Sequence, residues 1–224
     1  MAAMVGGGVK ARPGEVSMAH HGVLFLDELP EFHAQVLDSL RQPMEGGEAV
    51  ISRANRHVRS PSRFQLVAAA NPCKCGGGPG AFACRKGPQC QANYFSRISG
   101  PFLDRIDLFV DVAAVTATDL SLPPPAEGTA EAAARVFKAR EKQAKRFGEP
   151  GDNRRAVNAD APGAEIESLC ALDAGARALV VKAAEQLSLS ARAYHRVLKV
   201  ARTIADLDGA AGVADTGRRR EHAD

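Results

Sequence analysis

No run of about 18 consecutive apolar residues occurs in the 224-residue sequence, which excludes a helical membrane span of ordinary length. The start, Met-Ala-Ala-Met-Val-Gly-Gly-Gly, has neither the basic nor the apolar region of a secretory signal, so a cytoplasmic location is the expectation. Strong charge of one sign is also lacking. A net charge of +3 does not by itself demand a nucleic-acid or membrane partner. No Lys is followed by Ser or Thr, and no Gly-Lys pair occurs, so the loop motif that cradles nucleotide phosphates on backbone amides is missing from these residues. Internal repeats are not visible. Five cysteines, one isolated at Cys170, point to metal or free thiols instead of disulfides. What remains is ordinary globular composition, 45% hydrophobic and 25% charged, with enough chain for one large domain or two modest ones.

Against that background the segment Gly22-Val-Leu-Phe-Leu-Asp27-Glu28 stands out. A continuous apolar run of this length fits a strand buried on both faces, as in a parallel sheet. Two carboxylates at its tip need a metal, hydrogen bonds or solvent, because an unpaired buried charge is costly. In nucleotide hydrolases this is the Walker B arrangement, in which the first acid helps hold Mg²⁺ and the second polarises the attacking water. A strand that simply stops at a polar loop is the plain alternative.

Downstream, Phe32, Val36, Leu37 and Leu40 lie on one face of a helix spanning 30–44, closed by Glu45-Gly46-Gly47. Residues 49–59 form a hairpin turning near Ala54-Asn55, with arginines at Arg53, Arg56 and Arg59. Phe64 to Ala70 is a second buried strand ending at Asn71-Pro72, and a Cys/Gly-rich loop runs from Cys73 to Cys90. Residues 94–105 are helical in part, broken at Gly100-Pro101, and 106–115 alternate as a third strand. Ser121-Leu-Pro-Pro-Pro125 is a stiff linker. Helices follow over 130–147, 174–187 and 190–207, and the Arg-rich end reads as frayed. The domain expectation is a core over 1–120, a linker and helix over 121–165, a helical lid over 166–210 and a tail over 211–224.

Asn71 ends its strand at the same carboxyl edge as Asp27 and Glu28, the edge where open α/β sheets bind ligands. An amide there offers both a donor and an acceptor to a water beside a γ-phosphate, although Asn before Pro is also a common turn starter. Arg105, within Phe-Leu-Asp-Arg-Ile-Asp107, is able to reach a neighbouring subunit's phosphate or to pair locally with Asp104 or Asp107. Arg192 sits in the first turn of the last helix, after Ser190 as N-cap, where a cation opposes the helix dipole and an anion would relieve it. Exposed helix arginines are nonetheless common.

The motifs Gly6-Gly7-Gly8, Arg12-Pro13-Gly14-Glu15, Gly22 to Leu29, Ser52-Arg53-Ala54, Arg63 to Ala68, Asn71-Pro72-Cys73 and Ile98 to Asp107 resemble the magnesium-chelatase-like AAA+ ATPases, nearest their YifB/ComM branch. Leu189 to Leu207 is similar to that branch's C-terminal domain, so the resemblance runs nearly end to end. It implies an α/β fold: a partial AAA+ P-loop-type core, a parallel sheet with helices, then an α-helical C-terminal lid. By resemblance Asp27 and Glu28 are Walker B, with Asp27 on Mg²⁺, Asn71 is sensor 1, Arg105 the arginine finger and Arg192 sensor 2, against ATP. The hairpin would face the pore of a ring, generally a hexamer, and members of the branch are associated with moving branches in recombining DNA. Arg53, Arg56 and Arg59 suit phosphate contacts there, or form a solvated hairpin face.

The resemblance implies a P-loop and an N-terminal domain, both expected upstream of these residues. The expectation is a fragment, a mis-called start or a degraded gene that binds ATP weakly, with one sheet face partly uncovered. Three functions compete: part of an ATPase, a non-catalytic piece docking onto intact homologous subunits, and a metal-chelatase ATPase subunit. Cys73, Cys75, Cys84 and Cys90 fall close enough in sequence to close a tetrahedral zinc site, with a plain Cys-rich loop as the alternative. His20 and His21 read as structural or surface residues.

Overall fold

The computed structural model describes residues 2–8, 11–53, 56–75, 84, 86–113, 115–116, 118–123, 127–148 and 157–215. They belong to two compact units, Met1–Leu120 and Ser121–Asp224.

The first unit opens with α1 (Ala2–Val5), β1 (Gly6–Gly7) antiparallel to β2 (Arg12–Pro13), and α2 (Glu15–Met18). Gly6 has φ 105°, and a Cβ there would stand 2.6 Å from the Arg12 carbonyl oxygen, so only glycine permits this backbone approach. Next, β3 (Val23–Leu26) runs parallel to β6 (Gln65–Ala68), in register from Val23↔Gln65 to Leu26↔Ala68. At the entry to both strands, the Arg63 backbone N–H donates to His20 Nδ1 at 3.1 Å. Leu24 and Leu26 are buried with Val16, Leu37, Leu40, Ala49, Ile98 and Phe102. The other face differs from the doubly buried strand expected from sequence. Val23 and Phe25 are 57% and 58% exposed, because β6 is the single strand neighbour of β3 among the described residues and nothing described covers that side.

The expected helix over 30–44 is three short pieces: a 3₁₀ turn (Leu29–Glu31), α3 (Ala34–Ser39) and α4 (Arg41–Gly46). Pro43 has no N–H to return to Ser39, which interrupts the helical ladder near Leu40. Gly47, at φ 67°, closes α4 in the left-handed region. The hairpin forms as β4 (Glu48–Arg53) and β5 (Arg56–Pro61), in register from Glu48↔Pro61 to Arg53↔Arg56; its turn residues 54 and 55 lie outside the described set.

Three readings of the following stretch need correction. Helix α5 (Pro88–Phe95) starts well before Tyr94, using Pro88 in its first turn, where the missing N–H costs nothing. Gly100-Pro101 begins α6 (Gly100–Leu103) instead of breaking a helix, for the same reason, and the Phe102 N–H donates to the Ser99 Oγ cap at 3.3 Å. Residues 106–115 form no strand among those described. Leu108, Phe109, Val110, Val112 and Val115 are 64–89% exposed, since alternation marks two faces without supplying an edge to pair with.

The second unit contains α7 (Thr129–Phe147), a 3₁₀ turn (Asn158–Asp160), α8 (Gly163–Cys170), α9 (Ala174–Gln186) and α10 (Ala191–Leu207). Ile166, Cys170 and Leu198 are fully buried between α8 and α10. Polar groups hold the same body together. Asp206, with no exposed side-chain surface, accepts from Arg146 at 2.6 and 2.8 Å, from Arg202 at 2.8 Å and from Asn158 at 2.8 Å. Thus α7, the expected helix of the linker-and-helix segment 121–165, packs directly on α10. Residues 211–215, expected to be frayed, are also tied down. Val213 N–H donates to Cys170 O at 2.9 Å, and Arg202 donates to Ala211 O at 2.8 Å. No helix among the described residues is long and apolar enough to cross a membrane.

Candidate active site

Asp27 and Glu28 leave the end of β3, and Asn71 follows the end of the adjacent parallel strand β6. The ladder continues one step beyond the strands: Ala69 N–H donates to Leu26 O, and Leu29 N–H to Ala69 O, each at 2.9 Å. Both acids and the amide therefore emerge at one carboxyl edge, and all three are exposed. Glu28 takes the left-handed conformation (φ 50°, ψ 47°), unusual for a residue with a Cβ, and its N–H donates to Asp27 Oδ1 at 2.9 Å. That strained residue turns the chain from strand into the 3₁₀ turn and leaves two carboxylates at the bend.

Helix α5 packs close to these acids, which the sequence offered no pattern to reveal. Tyr94 is buried, and its phenol is pushed up first by burial and then by the negative charges of Glu31 and Glu28. Arg97 reaches Glu31 at 3.4 Å, and its guanidinium carbon lies 5.9 Å from the centre of the Tyr94 ring.

The arginines are dispersed. Arg105 pairs with Glu45 of α4 and donates to Pro101 O, with only 12% of its side chain exposed. It borders an open cleft of about 500 Å³ lined by Asp38, Arg41, Gln42, Glu45 and Gly46. Arg59 is exposed, with Nη1 3.8 Å from Glu48. Arg53 and Arg56 face each other as backbone partners across the hairpin. Arg192 lies in the second unit, exposed in the first turn of α10, where Ala193 N–H donates to the Ser190 cap at 3.2 Å.

A second constellation sits two residues beyond Asn71. The sulfurs of Cys73, Cys75, Cys84 and Cys90 all lie within 4.8 Å of one another. Cys75 and Cys90 are 3.6 Å apart, and that contact is the largest influence pushing the Cys90 thiol up. Cys170 is buried in the second unit, where its Sγ–H donates to Leu198 O at 3.3 Å.

The chain matches two family descriptions: magnesium chelatase, subunit ChlI, over residues 1–120, and the ChlI C-terminal part over residues 126–217. It belongs to the magnesium-chelatase ChlI family. Within that family its similarity is to the ComM/YifB branch. It is 48% identical over 210 residues to the competence protein ComM of Haemophilus influenzae, and 44% identical over 217 residues to YifB of Escherichia coli K12. Each match covers 93% of this chain and 40% of the relative, so the chain spans about two fifths of the relatives' length. The magnesium-chelatase 38 kDa subunit of Acidiphilium rubrum is 38% identical over 66 residues, covering 29% of this chain and 19% of that protein.

Proposed function

We propose that this chain carries the water-positioning and sensing groups of an AAA+-type ATPase that works on DNA as part of a ring, generally a hexamer. The observation that supports it most is the shared edge: two exposed acids and an exposed amide at the ends of adjacent parallel strands. Asp27 presents the hard carboxylate oxygen that Mg²⁺ prefers, so the donor chemistry fits that ion. ATP with Mg²⁺ supplies a polarised γ-phosphate; the chain's own groups act on the water. Glu28 accepts its proton and Asn71 orients it by donating and accepting hydrogen bonds. Arg105 serves as the finger for a neighbouring subunit's nucleotide, and Arg192 as the second sensor. Arg53, Arg56 and Arg59 contact DNA phosphates from the hairpin.

No phosphate-cradling Lys-Ser/Thr motif occurs in the 224 residues, so the chain alone binds ATP weakly or not at all. Isothermal titration of the 224-residue protein with ATP tests this, and micromolar affinity would refute it. The same missing motif favours a second reading, in which this polypeptide docks onto intact homologous subunits. Titrating it into a full-length relative during ATP turnover separates the two. A dose-dependent change in rate supports docking, and an unchanged rate removes it. Work as a tetrapyrrole-metal chelatase subunit is the weaker reading, because the ComM match covers 93% of the chain and the chelatase-subunit match 29%.

A further inference from the structure

We propose that Cys73, Cys75, Cys84 and Cys90 form a tetrathiolate zinc(II) site that fastens the loop after β6 to helix α5. The sulfur geometry is the first reason. Zn–S bonds of about 2.3 Å in a tetrahedron put sulfurs roughly 3.8 Å apart. The observed set, all within 4.8 Å with one pair at 3.6 Å, needs only a small contraction to meet that. A disulfide would need a sulfur separation of about 2.05 Å and would use two of the four thiols.

The origin of the ligands is the second reason. Cys73 and Cys75 lie just past β6, Cys84 in the connecting segment, and Cys90 in the first turn of α5. Cys73 is only 2% exposed, Cys84 and Cys90 are half-buried, and Cys75 is exposed. Four side chains from a Gly/Pro-rich stretch with little apolar content have no hydrophobic reason to converge, and a metal provides one.

The surrounding charge is the third. Four thiolates around Zn²⁺ carry a net charge of −2, and Lys74, Lys86 and Arg97 line the same cleft as Cys75 and Cys90. Thiolate donors select a soft or borderline metal and disfavour Mg²⁺ and Ca²⁺. On binding, each of the four thiols gives its proton to solvent, so occupancy falls as pH drops. The consequence reaches the acids, because α5 also carries Tyr94 beside Glu31 and leads to Arg97, which pairs with Glu31.

Elemental analysis of the purified 224-residue protein tests the site, followed by exchange of the bound metal for Co²⁺. The expected result is one zinc per chain. The cobalt form is expected to show thiolate-to-cobalt charge transfer and intense visible bands of tetrahedral geometry. Cys90→Ser is expected to lose the metal, and chelation of the wild type to increase amide exchange across α5. Metal-free protein, iron with inorganic sulfide, a Cys75–Cys90 disulfide, or Cys90→Ser keeping one zinc with an unchanged cobalt spectrum would each overturn the assignment. If Cys90→Ser does not fold, the wild-type cobalt spectrum decides alone. ATP titration is a separate readout, so failure of the ATPase reading leaves this result standing.

Discussion

Replacing Asp206 tests the strongest polar arrangement in the protein. Its carboxylate is completely buried and shared by Arg202, itself 1% exposed, and Arg146, 18% exposed. Asp206→Asn keeps the shape but removes the charge that compensates both guanidinium groups. Breaking a buried ion pair from one side costs about 3–5 kcal/mol, because the remaining cation is left without its partner. For a unit of this size each kcal/mol moves the melting temperature by about 4–8 °C, so a drop of roughly 12 °C or more is expected. The pH dependence adds a second readout. Burial alone would raise the Asp206 carboxyl, but hydrogen bonds from Arg146, Asn158 and Arg202 outweigh it and hold the group well below the usual carboxylate range. Because the folded-state value is depressed, the unfolded chain binds the proton more readily. The stabilisation is therefore complete above about pH 4 and is lost progressively as pH falls further. Thermal unfolding followed by helix circular dichroism across pH 2.5–7 (about that range) should show wild type losing stability at the acid end, while Asp206→Asn is lower throughout and less pH-sensitive. A paired Arg202→Met/Asp206→Asn variant should lose less than the sum of the single changes. If Asp206→Asn melts within about 1 kcal/mol of wild type at neutral pH, the network is not holding the second unit together.

Two smaller changes probe the first unit. Ser99→Ala removes both the cap on α6 and the hydrogen bond that Ser99 Oγ donates to Asp38 at 2.6 Å, so urea denaturation should show a loss of about 1–2 kcal/mol; no measurable loss would mean the cap is idle. On the hairpin, Arg59→Ala should lower the salt dependence of DNA binding by roughly one counterion, read as the slope of log affinity against log salt by fluorescence anisotropy. An unchanged slope would remove Arg59 from the DNA contact.

The local pattern was sufficient wherever a segment's own residues specify its geometry. The apolar run ending at Asp27-Glu28, the paired hairpin strands that carry Arg53, Arg56 and Arg59, and Ser190 ahead of an amphipathic helix each carry their cause within a few neighbouring positions. The apolar run at 106–115 carries the same kind of signal, yet it forms no strand among the described residues, because pairing requires an edge that sequence alternation does not provide. Gly100-Pro101 shows a related ambiguity: the same dipeptide ends one helix or starts another, and the Ser99 cap decides which.

The sequence by itself determined which residues have the chemistry: two acids, an amide, three hairpin arginines and four clustered cysteines are readable because their types and spacing are local facts. Only the tertiary structure decided who meets whom. Parallel pairing of β3 with β6 brings Asp27 and Asn71 to one edge across 44 positions of chain. Packing elsewhere in the first unit sets Tyr94 beside Glu31 and turns Arg105 onto Glu45, and within the second unit it buries Asp206 between arginines from two helices. Such meetings depend on how distant segments pack to cover apolar surface, and that is a property of the whole chain.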